Sequence, residues 1–380
     1  MFILKRLLLL IVIIFIAYGS KPVWEERVHA TGLESMLSKI EEMKNSPKVQ
    51  DAFEQFYNDV NLLLIKFDES FRDLEDNAKN NTQGKDIDKP SLSAPDSQVF
   101  SIHNIELGDS RTEVEKELGK PQRNTLNEYG VSWHTYHENF QNFLMVSYDT
   151  EQKVNGLYTN QDILTSSAGI KMDSPKKAVH SQLGDPLDKI RKGLTVYQLQ
   201  NNGEHDVFQV DGSYVTVFYD KHEKDSVTAV QIIDENLEQN KQGFYTEPSP
   251  ELKEGFELQL FDLTNAARVN HGLHPLTWND QVRETARKHS LDMADHNYFS
   301  HTNREGASPF ERMEADQVAF RTAGENLAYG QMSSIFAHEG LMNSKGHREN
   351  ILQTHYEYLG IGVAFNGDSQ PYFTENFFSR

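Results

Sequence analysis

Apolar residues recur with helical period near the start of the chain and with strand period further along. Between Leu33 and Leu74, the residues Leu33, Met36, Leu37, Ile40 and Met43 form one stripe. Asn45-Ser46-Pro47 interrupts it, because proline lacks a donor and clashes with the preceding turn. Val49, Phe53, Phe56, Val60, Leu63 and Phe67 then alternate steps of four and three, a heptad-like seam. The pattern predicts a helical segment over residues 21–76, folded back as a hairpin or paired with another copy as a coiled coil through 33–74. Residues 77–98, with Asn-Asn-Thr-Gln-Gly and Lys-Pro-Ser-Leu-Ser-Ala-Pro, hold too little apolar surface for a core and predict a linker.

The middle third repeats itself. Ile105, Val114, Leu118, Gly119 and Pro121 return as Ile170, Val179, Leu183, Gly184 and Pro186. Each set predicts a short helix closed by Leu-Gly-x-Pro, where glycine takes the left-handed stop and proline forbids continuation. After each comes a strand-like run, Phe143–Asp149 and Tyr214–Asp220, and then a second one beginning at Val154 or Val227. Two such units predict an α+β domain over 99–236. A linker is expected over 237–252, around Glu247-Pro248-Ser249-Pro250.

From residue 253 the period is helical again. Phe256, Leu260, Leu263 and Ala267 share one face, and Val282, Ala286, His289 and Met293 share another, His289 reading as a core histidine. The runs Leu359–Phe365 and Tyr372–Phe378 are strand-like. Helices flanking a small antiparallel sheet are expected over 253–380.

Charge and cysteine content narrow the function classes. With 37 Lys and Arg against 57 Asp and Glu, the net charge is −20, which argues against sequence-independent nucleic-acid binding. No cysteine is present, so no disulfide framework exists. Lys5-Arg6 precedes an apolar run from Leu7 to Tyr18, the charged and apolar regions of an export signal. Residues 1–20 therefore read as a signal peptide or a retained membrane anchor. Both readings put the bulk of the protein outside the cytoplasm.

Three stretches of the last third carry titratable side chains worth weighing: Tyr298-Phe299-Ser300-His301-Thr302, Gly324-Glu325-Asn326-Leu327-Ala328, and Met342 to Leu352 with His347 at its centre. Two imidazoles and a carboxylate can hold a metal, move a proton or bind a ligand, and spacing decides among none of these. His338-Glu339-Gly340-Leu341-Met342 fails as a zinc-protease helix, having Met where a second His is needed. These stretches, together with Leu263-Thr264-Asn265-Ala266-Ala267-Arg268, Gly272 to Asn279 and Leu359 to Ala364, resemble the bacterial branch of the CAP superfamily (cysteine-rich secretory, antigen 5 and pathogenesis-related proteins) over about residues 255–380.

The resemblance implies an α-β-α sandwich and a cleft of two His and two Glu, of which His301, Glu325 and His347 match three. In the place of the second Glu stands Ser344, and Leu341 stands where many relatives have Trp. The repeat domain is similar to one found before bacterial CAP domains. Two His and one Glu also match a catalytic zinc with an open position, so His301, Glu325 and His347 are carried both as a catalytic set and as ligands of a Zn2+ or other divalent ion. Ser344, Asn326 and Arg348 are candidate ligand contacts, and Ser300 and Ser344 candidate nucleophiles beside a histidine. Two functions stay open. One is a non-enzymatic envelope module binding wall polymer, lipid or a partner protein, which the resemblance favours; the other is an envelope hydrolase acting on a peptide, ester or glycan bond.

Overall fold

A computed structural model describes residues 87–199 and 203–380, which lie within one compact unit. The expected signal or anchor and the helical segment over 21–76, with its oligomer reading, fall outside the described residues. Among those residues no helix is long and apolar enough to cross a membrane.

The first half runs β1 (Phe100–Ile102), α1 (Arg111–Leu118), β2 (Arg123–Leu126), β3 (Ser132–Glu138), β4 (Gln141–Tyr148), β5 (Val154–Thr159) and β6 (Leu164–Ser166). It continues with α2 (Lys176–Leu183), β7 (Lys189–Lys192), β8 (Thr195–Gln198), β9 (His205–Val210), β10 (Ser213–Asp220), β11 (Ser226–Asp234) and α3 (Glu235–Asn240). The repeat is real in three dimensions. Both helices stop at the expected glycine, with φ of 78° at Gly119 and 82° at Gly184, where a side chain would be strained. The two repeats join through β5 and β11 into one antiparallel seven-stranded sheet, ordered β2-β3-β4-β5-β11-β10-β9. Val114 and Val179 from the two helices sink into one core with Leu144, Val146, Val217 and Val230 on one face of that sheet.

The second half runs α4 (Pro250–Asn270), β12 (Thr277–Trp278), α5 (Asp280–His296), α6 (Pro309–Ala315), β13 (Thr322–Tyr329), α7 (Ser334–Asn343), α8 (Lys345–Ile351), β14 (Tyr358–Phe365) and β15 (Pro371–Ser379). Its sheet is ordered β12-β14-β15-β13, with β13 at an edge. Alternation along β14 decides what covers each face. Leu359, Ile361 and Val363 meet Phe256 and Leu260 of α4 and Leu341 of α7. Gly360 and Gly362 lie beneath α5, where a Cβ on Gly362 would fall 2.1 Å from the Arg287 backbone nitrogen. The result is the expected α-β-α sandwich, an α+β fold, with His289 buried in the α5 face.

The halves are not strung on linkers. Leu263 and Ala266 of α4 and Ile335 of α7 share a core with Trp133, Phe143, Met145, Tyr158 and Phe218, on the other face of the seven-stranded sheet. Helix α4 therefore lies between two sheets. Its predicted single stripe splits, Phe256 and Leu260 facing one sheet and Leu263 the other. At Gly255 the helix touches β2 so closely that a Cβ would sit 2.2 Å from the Leu126 oxygen. The stretch 237–252, expected as a linker, is fixed instead. It carries α3, Tyr245 donates to the Gly330 oxygen at 2.9 Å, and Thr246 donates to the Glu128 oxygen. The described part of 77–98 is likewise held, since Ser97 and Gln98 donate to the Glu106 carboxylate at 2.7–3.0 Å.

Candidate functional site

The site forms around β13, the edge strand of the four-stranded sheet. Glu325 and Asn326 are neighbours on this strand, so their side chains leave on opposite faces. An edge strand lets groups from both faces meet around it.

Glu325 is fully buried and committed at both oxygens. His301 Nδ1 lies 2.9 Å from Oε1, and Arg312 Nη2 donates to Oε2 at 2.5 Å. Burial raises the carboxyl's pKa, but the Arg312 guanidinium and the His301 hydrogen bond outweigh it, and the net shift is downward. Arg312 also donates to the oxygens of His301 and Ala307, at 2.7 and 3.1 Å, so one cation ties the His301 loop to the strand. It stands on α6, whose start is set by a capping box of Ser308 and Glu311.

On the other face, Asn326 is wholly enclosed. Its amide nitrogen donates to the His347 oxygen at 3.1 Å and to Glu375 at 3.0 Å, and its oxygen accepts from Asn350 at 3.0 Å. Asn350 also reaches the Glu325 oxygen, and Thr264 of α4 donates to Glu375 at 2.9 Å. Burial lifts Glu375 to about 7 against the bonds from Asn326 and Thr264. His347 sits in the first turn of α8 with its Nδ1 2.9 Å from Ser344 Oγ. Burial first, and then the like-charged neighbour His301, push its pKa down to about 4, so the imidazole is neutral at physiological pH.

The structure sets His301 on Glu325 and His347 beside Ser344, and it places other candidates differently. The metal reading does not fit. Among the described residues no three His, Asp or Glu are grouped to hold a metal ion, and both Glu325 oxygens are already occupied by a cation and an imidazole. Asn326 cannot touch a ligand, being fully buried. Arg348 points into the boundary between the halves, its Nη1 2.8 Å from Asp220 of β10. Glu339 of α7 accepts from Tyr158 at 2.6 Å. Ser300 Oγ accepts from the Thr302 amide at 3.1 Å in a local turn. Arg312 and Glu375 are residues the sequence did not reveal, since an arginine on a seven-residue helix and a glutamate in an apolar strand carry no motif.

Residues 261–377 match the model of the cysteine-rich secretory protein family, and residues 107–244 match the CAP-associated N-terminal domain. Over those stretches the chain carries domains similar to those of the CAP superfamily. It is 29% identical over 292 residues to the uncharacterized membrane protein YlbC of Bacillus subtilis (strain 168), covering 72% of this chain and 82% of that one. It is 38% identical over 122 residues to YkwD of the same organism, covering 32% of this chain and 48% of that one, so only about half of YkwD is spanned.

The fold of an extracellular protein containing an SCP domain from Bacillus anthracis str. Ames matches with a TM-score of 0.64 at 25% identity. That match covers 77% of this chain and all of the other, taking in both halves. A cysteine-rich secretory protein from Staphylococcus aureus subsp. aureus Mu50 shares the fold at 16% identity, with a TM-score of 0.57 over 72% of this chain and 94% of that chain.

Proposed function

We propose that this protein is an extracytoplasmic binding module that captures a cell-envelope ligand in the β13 cleft without turning it over. The observation that carries this reading is the double engagement of Glu325. With Arg312 on one oxygen and His301 on the other, the carboxylate holds the cleft loops in place and has no lone pair aimed at a ligand to serve as a base. What remains for a ligand is neutral and stackable. Tyr329, on the same face of β13 as Glu325, is 43% exposed and packs against Phe299 and Tyr372 at 5.1 Å, an aromatic platform suited to sugar rings or planar groups. Wall polymer is accordingly the first ligand class to try. The location draws support from Lys5-Arg6 with the apolar run behind it, and from relatives named as a membrane protein and an extracellular one.

One observation favours the hydrolase reading. Ser344 Oγ and His347 Nδ1 are at hydrogen-bond distance, and the histidine is neutral, as a general base must be. Co-sedimentation with purified wall sacculi, read together with release of soluble fragments, separates the two. The binding reading expects the wild type to pellet, Tyr329→Ala to lose at least tenfold in affinity, and no fragments from any variant. Fragment release that Ser344→Ala abolishes would establish the hydrolase instead, and failure to pellet would exclude wall polymer as the ligand.

A further inference from the structure

A cavity of about 470 Å3 opens between the second repeat and α7, well within the range of small-molecule sites and larger than packing voids. Its walls include Phe218 and Ile233 of the seven-stranded sheet, Ile190 and Tyr197 of the β7–β8 hairpin, and Phe336 and Gly340 of α7. Neither half of the molecule encloses it alone.

Three independent features point to an occupant. The first is Gly340, in the interior of a helix, where glycine costs about 0.5–1 kcal/mol relative to alanine. A Cβ there would meet nothing within 4 Å, so the space in front of it is open and no close contact demands the glycine. The second is exposed apolar surface on the segments that wall the cavity. Leu194 at the hairpin tip is fully exposed, Val196 beside it is 38% exposed, and Phe244 on the facing loop is 45% exposed. The third is the state of the polar groups. Lys192 pairs with Glu238 at 2.5 Å, Glu204 with Lys221 at 2.8 Å, Lys241 bonds the Gly243 and Phe244 oxygens, and Glu339 accepts from Tyr158. Lys192 and Glu204 are thus charge-paired within the protein, and Lys241 and Glu339 are hydrogen-bonded there. The side-chain oxygen of Gln331, shielded from solvent on the cavity wall, has no partner among the described residues.

We propose that this inter-domain cavity is a binding site for an uncharged, largely apolar small molecule carrying a hydrogen-bond donor, of the class of a fatty or aromatic alcohol. A charged ligand would have to break an internal pair or enter unpaired, at the cost of desolvation. An apolar body fills the aromatic walls, and its hydroxyl meets the Gln331 oxygen.

The test is fluorescence titration of the full chain with the uncharged probe N-phenyl-1-naphthylamine. Wild type should show saturable one-to-one binding, and Gly340→Phe, which fills the space in front of α7, should weaken it at least tenfold without lowering the melting temperature. Tyr329→Ala, in the other cleft, should leave it unchanged. Decanol should displace the probe at concentrations at least tenfold below those needed for decanoate or decylammonium. Equal binding by wild type and Gly340→Phe would overturn the site, and equal displacement by the three competitors would overturn the preference for a neutral ligand. Should Gly340→Phe fail to fold, Gly340→Leu makes the same test with a smaller side chain.

Discussion

Glu375 shows how one enclosed side chain couples this fold to pH. It lies on β15 with no exposed surface, bonded by Thr264 from α4 and by Asn326 from the site strand, and burial raises it from 4.5 to about 7. Between those two values the native state keeps a proton that the unfolded chain has released. Stability from this residue therefore falls as pH rises from about 4.5 to about 7 and is flat above. Glu375→Gln keeps the shape and removes the titration, its oxygen still able to accept from Asn326 while its Nε2 donates to the Thr264 hydroxyl. Urea midpoints at pH 5 and pH 7.5 should thus differ less in the variant than in the wild type. Identical pH dependence in both would mean that the carboxyl is ionised in the fold at pH 5.

At the scale of elements, the close approach of α5 to β14 is the tightest constraint on the cleft, because α5 leads directly into the loop that carries His301. Gly362 makes that approach possible. With an ordinary strand conformation and a Cβ position only 2.1–2.5 Å from the Arg287 and Ala286 backbone, Gly362→Ala forces the helix away from the sheet. A cost of about 1–3 kcal/mol is expected, as for overpacked cores, with a fall in thermal midpoint. A variant as stable as wild type would show that α5 moves freely.

The same elements show what a sequence reveals. The Leu-Gly stops of α1 and α2 were legible because a left-handed residue admits few types, and His301, Glu325 and His347 because they sit inside recognisable short stretches. Arg312 and Glu375 were not, because each reaches the site from a distant segment and only the folded sheet brings them together. The burial of α4 on both sides was hidden for a related reason. Leu263 keeps the same period as Phe256 and Leu260, and periodicity alone does not tell a stripe on one sheet from a helix wedged between two.

For the molecule as a whole, the repeat domain takes hold of the segment that carries the site. The Asn343 side chain donates to the Tyr219 oxygen at 2.9 Å and accepts from the Lys221 nitrogen at 2.9 Å, and its backbone oxygen lies 3.1 Å from His222 Nε2. Five residues on, Arg348 is paired with Asp220 at 2.8 Å, with both side chains largely buried. Ser344 and His347 lie between these two grips, so the repeat domain helps set their geometry and does more than space the cleft from the chain before it. Asp220→Asn isolates the second grip, since asparagine can still cap the turn through the His222 amide that Asp220 bonds at 2.8 Å. It leaves Arg348 without its counter-charge in a largely buried place, at a cost of about 3 kcal/mol. Hydrogen exchange at residues 343–350 should then quicken by at least tenfold, while β14 and β15 exchange as before, because the loss is local to the clamp. Unchanged exchange over 343–350 would show that the sandwich alone holds the His347 segment and that the repeat domain leaves the cleft untouched.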